Sequence, residues 1–154
     1  MIIRDFRPDD AAAFRDLNLA WVEQYFTVEA EDRAQLDDPQ THILDPGGAI
    51  LMAELNGEAV GTVGLVPGHG PGVLELIKMS ARSDVKGQGI GRALMDAAIE
   101  KARDMGATKI WLETNTRLDA ALALYRKSGF RELTGDEVTP TPYDRCNCQM
   151  LLEI

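Results

Sequence analysis

Apolar and polar residues repeat along the chain with two different periods. In the first half, apolar residues at positions 11, 14, 17, 21 and 25 predict a helix over residues 8–24 with one buried face. An acidic segment predicts a second helix over residues 29–38, which Pro39 ends. The dipeptide Asn56-Gly57 predicts a hairpin turn. Short apolar or alternating runs predict strands at residues 2–6, 49–55, 58–66, 73–81, 109–113, 130–133 and 146–152.

Two further helices are expected in the second half of the chain. Apolar residues at positions 90, 94, 97, 98, 102 and 105 predict a helix over residues 93–105. Another is predicted over residues 118–128, with Asn115 or Thr116 as its cap and Gly129 at its end. The element order β-α-α-β-β-β-α-β-α-β-β predicts an α/β layer structure around one mixed sheet. A length of 154 residues predicts a single domain over residues 1–154.

A glycine-rich loop, Lys86-Gly87-Gln88-Gly89-Ile90-Gly91-Arg92, joins the strand at residues 73–81 to the helix that follows. Glycines allow the backbone to approach a ligand closely, and a helix N-terminus adds roughly half a positive charge. The loop is therefore a candidate anion site. Its spacing differs from the Walker loop and from the dinucleotide-binding fingerprint. Taken alone, the loop fits a plain strand-to-helix turn equally well.

Composition and charge exclude several classes of protein. The chain has no apolar run of ~18 residues and no signal-peptide pattern, so we expect a cytoplasmic protein without a membrane span. A net charge of -9 argues against a nucleic-acid partner. Local amides and nearby cations would therefore have to hold an anionic ligand, with candidates Lys86, Arg92, Arg126 and Lys127.

Cysteine and histidine usage predicts no metal site. Cys146 and Cys148 are separated by one residue, which makes a disulfide between them strained, so we expect buried or half-buried thiols. The two histidines are distant from each other in sequence, and a Cys/His zinc site is not expected. His69 lies in a connector rich in proline and glycine, where we expect a loop histidine and not a catalytic one.

Two motifs resemble those of the GNAT acyltransferase superfamily. Residues 86–91 are similar to the family's Arg/Gln-x-x-Gly-x-Gly/Ala acyl-CoA loop, and residues 121–130 are similar to its Ala-x-x-Leu-Tyr-x-x-x-Gly-Phe signature. The two motifs occur in the family's order, with a predicted strand between them. Lys86 replaces the usual Arg or Gln and lacks a forked donor. Leu118 stands where many members carry an Asn that contacts the cofactor, and Asn115 is the candidate substitute.

The resemblance implies a fold and a donor. The fold is a mixed, mostly antiparallel sheet, splayed between its fourth and fifth strands and flanked by about four helices. Acetyl-CoA is the implied acyl donor, with its diphosphate on the amides of residues 87–92 and its pantetheine arm along residues 79–81. No metal is implied. The implied cofactor-binding residues are Met79, Ser80, Ala81, Lys86, Gly87, Gln88, Gly89, Ile90, Gly91, Arg92, Asn115, Tyr125 and Lys127.

Tyr125 matches the position where the family commonly has its general acid, and a phenol with a pKa near ~10 is protonated at neutral pH. Glu75 lies within a largely apolar strand and is the first candidate for the general base. Glu113 on the next strand is the second candidate, and a water chain is the third. A backbone N–H near Met79 is the expected donor to the oxyanion.

The resemblance implies direct acetyl transfer in a ternary complex to the primary amine of a small molecule, either an amine or an amino acid. The alternatives are a protein lysine or N-terminus as acceptor, or an acyl-CoA-binding sensor without catalysis. Pairing of terminal strands into a homodimer is also consistent with such a fold. We expect the acceptor site at the acidic second helix, together with Trp21, Tyr25, Phe26, Tyr143 and Arg145.

Overall fold

The computed structural model describes residues 1–154, which form a seven-stranded mixed sheet with helices on both faces. The strands lie in the order β1-β2-β3-β4-β5-β7-β6, and every neighbouring pair is antiparallel except β4 and β5. The strands are β1 (Ile2–Asp5), β2 (Ala49–Leu55), β3 (Glu58–Val66), β4 (Val73–Ala81), β5 (Lys109–Thr114), β6 (Arg131–Glu132) and β7 (Cys148–Glu153). The helices are α1 (Ala11–Tyr25), α2 (Ala30–Asp37), α3 (Ile90–Asp104) and α4 (Asp119–Lys127).

The sheet is open between β4 and β5. Only three residue pairs join these strands, and the last of them is Glu75 with Trp111. Beyond Glu75, residues 76–81 of β4 have no partner on β5, so the two strands diverge into a V-shaped cleft. This arrangement confirms the predicted mixed sheet and its splay between the fourth and fifth strands.

A β-bulge lies in β4 where it borders the cleft. The register of β3 against β4 shifts between Thr62 and Gly64, and Lys78 adopts a positive φ of 51°. The Thr62 hydroxyl donates to the Lys78 carbonyl at 2.7 Å, and the Asn18 side chain of α1 donates to that hydroxyl at 3.1 Å. These hydrogen bonds stabilise a conformation that non-glycine residues rarely adopt.

The hydrophobic core is divided between the two faces of the sheet. The larger cluster joins α3 and α4 to the sheet through residues such as Leu94, Met95 and Leu122. The smaller cluster packs α1 and α2 against the other face, with Phe14 and Leu36 fully or almost fully buried. No helix is both long and apolar enough to cross a membrane.

Several element boundaries differ from the sequence-based predictions. The third helix begins at Ile90 and not at residue 93, because Gly89 turns the chain in the left-handed conformation directly before it. The predicted caps of α4 are not formed, since its N-cap position is Leu118. The Asn115 side chain instead accepts a hydrogen bond from the Arg117 amide. A π-helical turn, Gln40–Leu44, follows Pro39 and had no signal in the hydrophobic pattern.

Candidate active site

A groove of about 670 Å³ lies between α1, the end of β4, the N-terminus of α3 and α4. On one side it is lined by the β4 residues that lack a partner on β5, including Met79, Ser80 and Ala81. An unpaired strand edge presents free N–H and C=O groups that an extended ligand with amide groups can bind. The groove therefore suits a long, partly peptide-like molecule.

The glycine loop forms one end of this groove, with Lys86 and Gly91 in the lining. Gly87 and Gly89 have φ values of 83° and 77°, which glycine adopts without strain. The amide N–H groups of residues 87–92 donate to no acceptor within the chain, and the first hydrogen bond of the α3 ladder runs from Ala93 to Gly89. Free amides at a helix N-terminus are suited to binding a phosphate group.

A second cavity, of about 90 Å³, lies where β4 and β5 separate. It is lined by Glu75 of β4, Glu113 of β5, the aromatic end of α1, and three residues of the loop before β7, Tyr143, Arg145 and Cys146. The two cavities are adjacent, because both are bordered by Trp21, Met79, Leu118 and Tyr125. This shared border is the junction of the two cavities.

Tyr125 lies on the buried face of α4, with its ring 5.9 Å from that of Phe130. Burial, with a smaller contribution from Cys146, raises the pKa of Tyr125 to about 12. The phenol therefore keeps its proton throughout the physiological range. A protonated phenol at the junction of the two cavities is positioned to donate a hydrogen bond to a leaving group.

Glu75 is hydrogen-bonded to His69, with 2.7 Å between Oε1 and Nε2. Burial raises the pKa of Glu75, and the hydrogen bond and charge of His69 oppose that shift. The imidazole also stacks on the Trp111 indole, with ring centroids 3.9 Å apart. The sequence indicated only a loop histidine, so the contact between His69 and the candidate base is a feature that the sequence-based prediction missed.

Glu113 faces the same cavity from β5. Its Oε2 atom is buried and has no hydrogen-bond partner. Burial raises the pKa of Glu113, and the charge of Glu75 adds to that shift. A buried carboxyl oxygen without a partner is rare, and the residue that carries it borders the small cavity.

Both cysteines are free thiols, as the sequence predicted, with Cys148 buried and Cys146 half-buried. Cys146 lines the small cavity, and burial raises the pKa of its thiol to about 12. The thiol is therefore protonated at neutral pH and is a poor nucleophile.

A network of buried charges supports the wall of the small cavity. Asp32 of α2 has 0% exposure and accepts two hydrogen bonds from Arg145, at 2.7 and 2.8 Å, and one from Lys78 at 2.8 Å. Glu29 also pairs with Arg145 at 3.2 Å. Burial alone would raise the pKa of Asp32, but the Arg145 hydrogen bonds and the Lys78 charge hold that pKa well below its usual range. Although α2 is rich in acidic residues, which are usually exposed, its Asp32 carboxylate is buried within the protein.

The structure brings most of the predicted residues together, but not all of them. The expected acceptor residues Trp21, Phe26, Tyr143 and Arg145 line the small cavity, whereas Tyr25 lines the groove. Asn115 borders the small cavity and not the groove, and its side chain donates to the Arg145 carbonyl at 2.7 Å. Among the other predicted cofactor-binding residues, Gly87, Gln88 and Gly89 lie in the loop, and Arg92 lies in the first turn of α3. The Ile90 side chain is buried in the core. Lys127 is exposed and lies outside both cavities.

The sequence-based prediction also missed Asp32 and Lys78 as parts of the site. A Glu-x-x-Asp pattern at residues 29–32 does mark the start of α2, where the Asp32 carboxylate accepts from the Glu29 amide. That pattern indicates a helix terminus but not the burial of the carboxylate. Lys78 had no local signal, because its side chain is directed by the bulge and the positive φ of this residue.

The split sheet, the free amides at the start of α3 and the two adjacent cavities can together hold a long ligand with phosphate and amide groups. A model of the Acetyltransferase (GNAT) family matches residues 12–130. The chain therefore belongs to the GNAT acetyltransferase family.

Relatives and solved structures agree with this assignment. The chain is 34% identical to the N-acetyltransferase YjgM of Escherichia coli, over 77% of this chain and 72% of that protein. It also matches mammalian N-acetyltransferases but spans only about half of their length. It covers 46% of N-acetyltransferase 8 of Rattus norvegicus. A GNAT-family acetyltransferase from Staphylococcus aureus has the same fold, with a TM-score of 0.88 at 22% identity over 99% of this chain and 98% of that one. An aminoglycoside 6'-N-acetyltransferase solved with coenzyme A has a TM-score of 0.74 at 21% identity, over 99% and 97% of the two chains.

Proposed function

We propose that the protein transfers the acetyl group of acetyl-CoA directly to the primary amine of a small molecule. The observation that carries this proposal is the junction of two unequal cavities at Met79 and Tyr125. The larger groove suits a coenzyme A chain, and the smaller cavity suits the end of an amine acceptor. Their contact allows both substrates to be bound at once.

The groove supplies the groups that acetyl-CoA requires. The amides of residues 87–92 bind the diphosphate, and the free edge of β4 at residues 79–81 binds the amides of the pantetheine arm. Acetyl-CoA supplies an activated acyl group and a thiolate leaving group. The Met79 amide, next to the bulge, is the donor that we assign to the oxyanion.

In the proposed reaction the acceptor ammonium group loses one proton to Glu75, which passes it to solvent, and the free amine attacks the thioester carbonyl. As the C–N bond forms, the carbonyl oxygen becomes an oxyanion, and the nitrogen loses its second proton to Glu75. The carbonyl then re-forms, the C–S bond breaks, and Tyr125 donates a hydrogen bond to the departing sulfur. Because the pKa of Tyr125, about 12, exceeds that of an ordinary thiol (~8.5), complete proton transfer to the sulfur costs roughly 5 kcal/mol. We therefore assign Tyr125 to stabilising the thiolate by a hydrogen bond, and the thiolate takes up its proton from solvent after release.

The protonated state of Cys146 supports direct transfer. A double-displacement route through this residue would need a thiolate, but burial raises the pKa of the Cys146 thiol to about 12. We assign Glu113 to binding the acceptor amine, since it borders the small cavity and one of its carboxyl oxygens has no hydrogen-bond partner.

The charges around the small cavity favour an amine without a carboxylate. Its two cations, Lys78 and Arg145, are already paired with Asp32 and Glu29. Glu75 and Glu113 also line this cavity, and neither carboxyl group pairs with a lysine or an arginine. An acceptor ammonium group is therefore attracted, whereas a carboxylate finds no free partner. Of the two small-molecule classes, simple amines fit this cavity better than amino acids.

A panel of acceptors tests this proposal. We expect phenethylamine to increase the release of coenzyme A from acetyl-CoA, measured by chromatography, and phenylalanine, which adds only a carboxylate, to be at least tenfold less active. Faster reaction with phenylalanine would contradict the charge argument. Reaction with lysine-containing or free N-terminal peptides alone would show a protein acetyltransferase. Binding of acetyl-CoA without transfer to any acceptor would show a sensor.

A further inference from the structure

We propose that His69 is a positioning residue for the reaction, holding Glu75 as an oriented carboxylate with one oxygen left for the amine. This inference rests on the proposed function, in which Glu75 is the base. Neither the GNAT motifs nor the hydrophobic pattern of the chain assigns a role to this histidine.

The connector before β4 brings His69 back onto the strand. Gly68, Gly70 and Gly72 all have positive φ values, of 138°, 98° and 74°, and these residues turn the chain within a few positions. His69 therefore lies beside Glu75, which is six residues further along the chain.

Trp111 fixes the plane of the imidazole. The two rings are stacked, with centroids 3.9 Å apart and planes inclined by 25°. Trp111 is also the β5 partner of Glu75, at the last residue pair before the strands diverge. Both the carboxylate and the imidazole are therefore held at the point where the cleft opens.

The hydrogen bond assigns different tasks to the two oxygens of Glu75. When Glu75 is ionised, the 2.7 Å contact requires Nε2 of His69 to carry a proton and to donate a hydrogen bond to Oε1. The second oxygen remains to accept a proton from the amine. His69 and Glu75 retain 24% and 19% side-chain exposure, so water can reach the pair between turnovers.

Other charged and titratable groups surround Glu75, but His69 is its hydrogen-bond partner. Lys78 of β4 lies nearby and favours the carboxylate, while Glu31 of α2 opposes it. Glu113 of β5 and the loop residues Tyr143 and Cys146 also lie within the electrostatic reach of Glu75. Burial raises the pKa of Glu75, and the hydrogen bond from His69 is the strongest of the interactions that lower it.

The direct test is an NMR titration of the Glu75 carboxyl carbon, assigned by its loss in Glu75→Gln. In His69→Ala we expect the pKa of Glu75 to rise by about one unit, the size of a charge-assisted hydrogen bond. His69→Gln, which retains a donor, should give a smaller rise. His42→Ala, which removes the chain's other histidine at an exposed position, should leave the pKa unchanged. An unchanged pKa of Glu75 in a folded His69→Ala protein overturns the inference.

Kinetics separate this inference from the proposed function. With phenethylamine as acceptor, the acidic limb of the kcat profile should move to higher pH by about one unit in His69→Ala, because the base must be deprotonated. On that limb kcat falls about tenfold, while KM for acetyl-CoA stays unchanged. An equal loss at every pH would show a merely structural role and contradict the inference. If the wild-type protein transfers no acetyl group, the proposed function fails, and the NMR titration still decides whether His69 holds Glu75 ionised.

Discussion

Tyr125→Phe should lower kcat about 100-fold and leave KM for acetyl-CoA nearly unchanged. In the proposed reaction, the phenol at the junction of the two cavities stabilises negative charge that develops on sulfur only in the transition state. Because the substitution removes a donor but keeps the ring, packing against Phe130 is retained. Steady-state kinetics with phenethylamine and acetyl-CoA measure this effect.

The control for Tyr125→Phe is its thermal stability, which should match that of the wild-type protein.

The shape of the pH profile is a second check. Since the pKa of Tyr125 is raised to about 12, the phenol keeps its proton over the usual assay range. The variant should therefore lose activity by the same factor at every pH below about 10. An unchanged kcat in Tyr125→Phe would remove this residue from the reaction.

Asp32→Asn should destabilise the protein by about 3–5 kcal/mol, measured by urea denaturation. The fully buried Asp32 carboxylate is the shared partner of Arg145 and Lys78, and its loss leaves two buried cations without their main counter-charge. The same change should weaken amine turnover, because Arg145 and Lys78 line the small cavity.

Asp96→Asn is the matched control for Asp32→Asn. Asp96 is 63% exposed and pairs with Arg92 at 3.3 Å on the surface of α3, so its loss should cost less than about 0.5 kcal/mol. The stabilisation from Asp32 should also depend on pH. Because the pKa of Asp32 is lowered in the folded state, its contribution is present above about pH 4 and is lost as the pH falls further. Equal stabilities of the two variants would contradict the role of the buried network.

Most of the fold could be predicted because its elements carry strong local signals. The amphipathic pattern after the glycine loop, the Asn56-Gly57 turn and the alternating strands each determine structure over a few residues. Boundaries were less certain where backbone geometry decides them. Because Gly89 adopts the left-handed conformation, α3 begins at Ile90, three residues before its predicted start. The π-helical turn after Pro39 has no signal in the hydrophobic pattern, although its residue Ile43 is buried.

The candidate site was predictable where it consists of motifs and not where it consists of distant contacts. The glycine loop and Tyr125 lie within recognisable motifs. Asp32, Lys78 and Arg145 are far apart in sequence and meet only because α2, the β4 bulge and the last loop converge. His69 reaches Glu75 through a glycine-rich turn whose direction local sequence does not determine.

A crystal structure of the protein with coenzyme A tests the central claim most directly. We predict the diphosphate within hydrogen-bond distance, about 2.7–3.2 Å, of backbone amides among residues 87–92, with the sulfur at the junction beside Tyr125. A coenzyme A molecule bound elsewhere, with those amides free and Tyr125 far from the sulfur, would contradict the account.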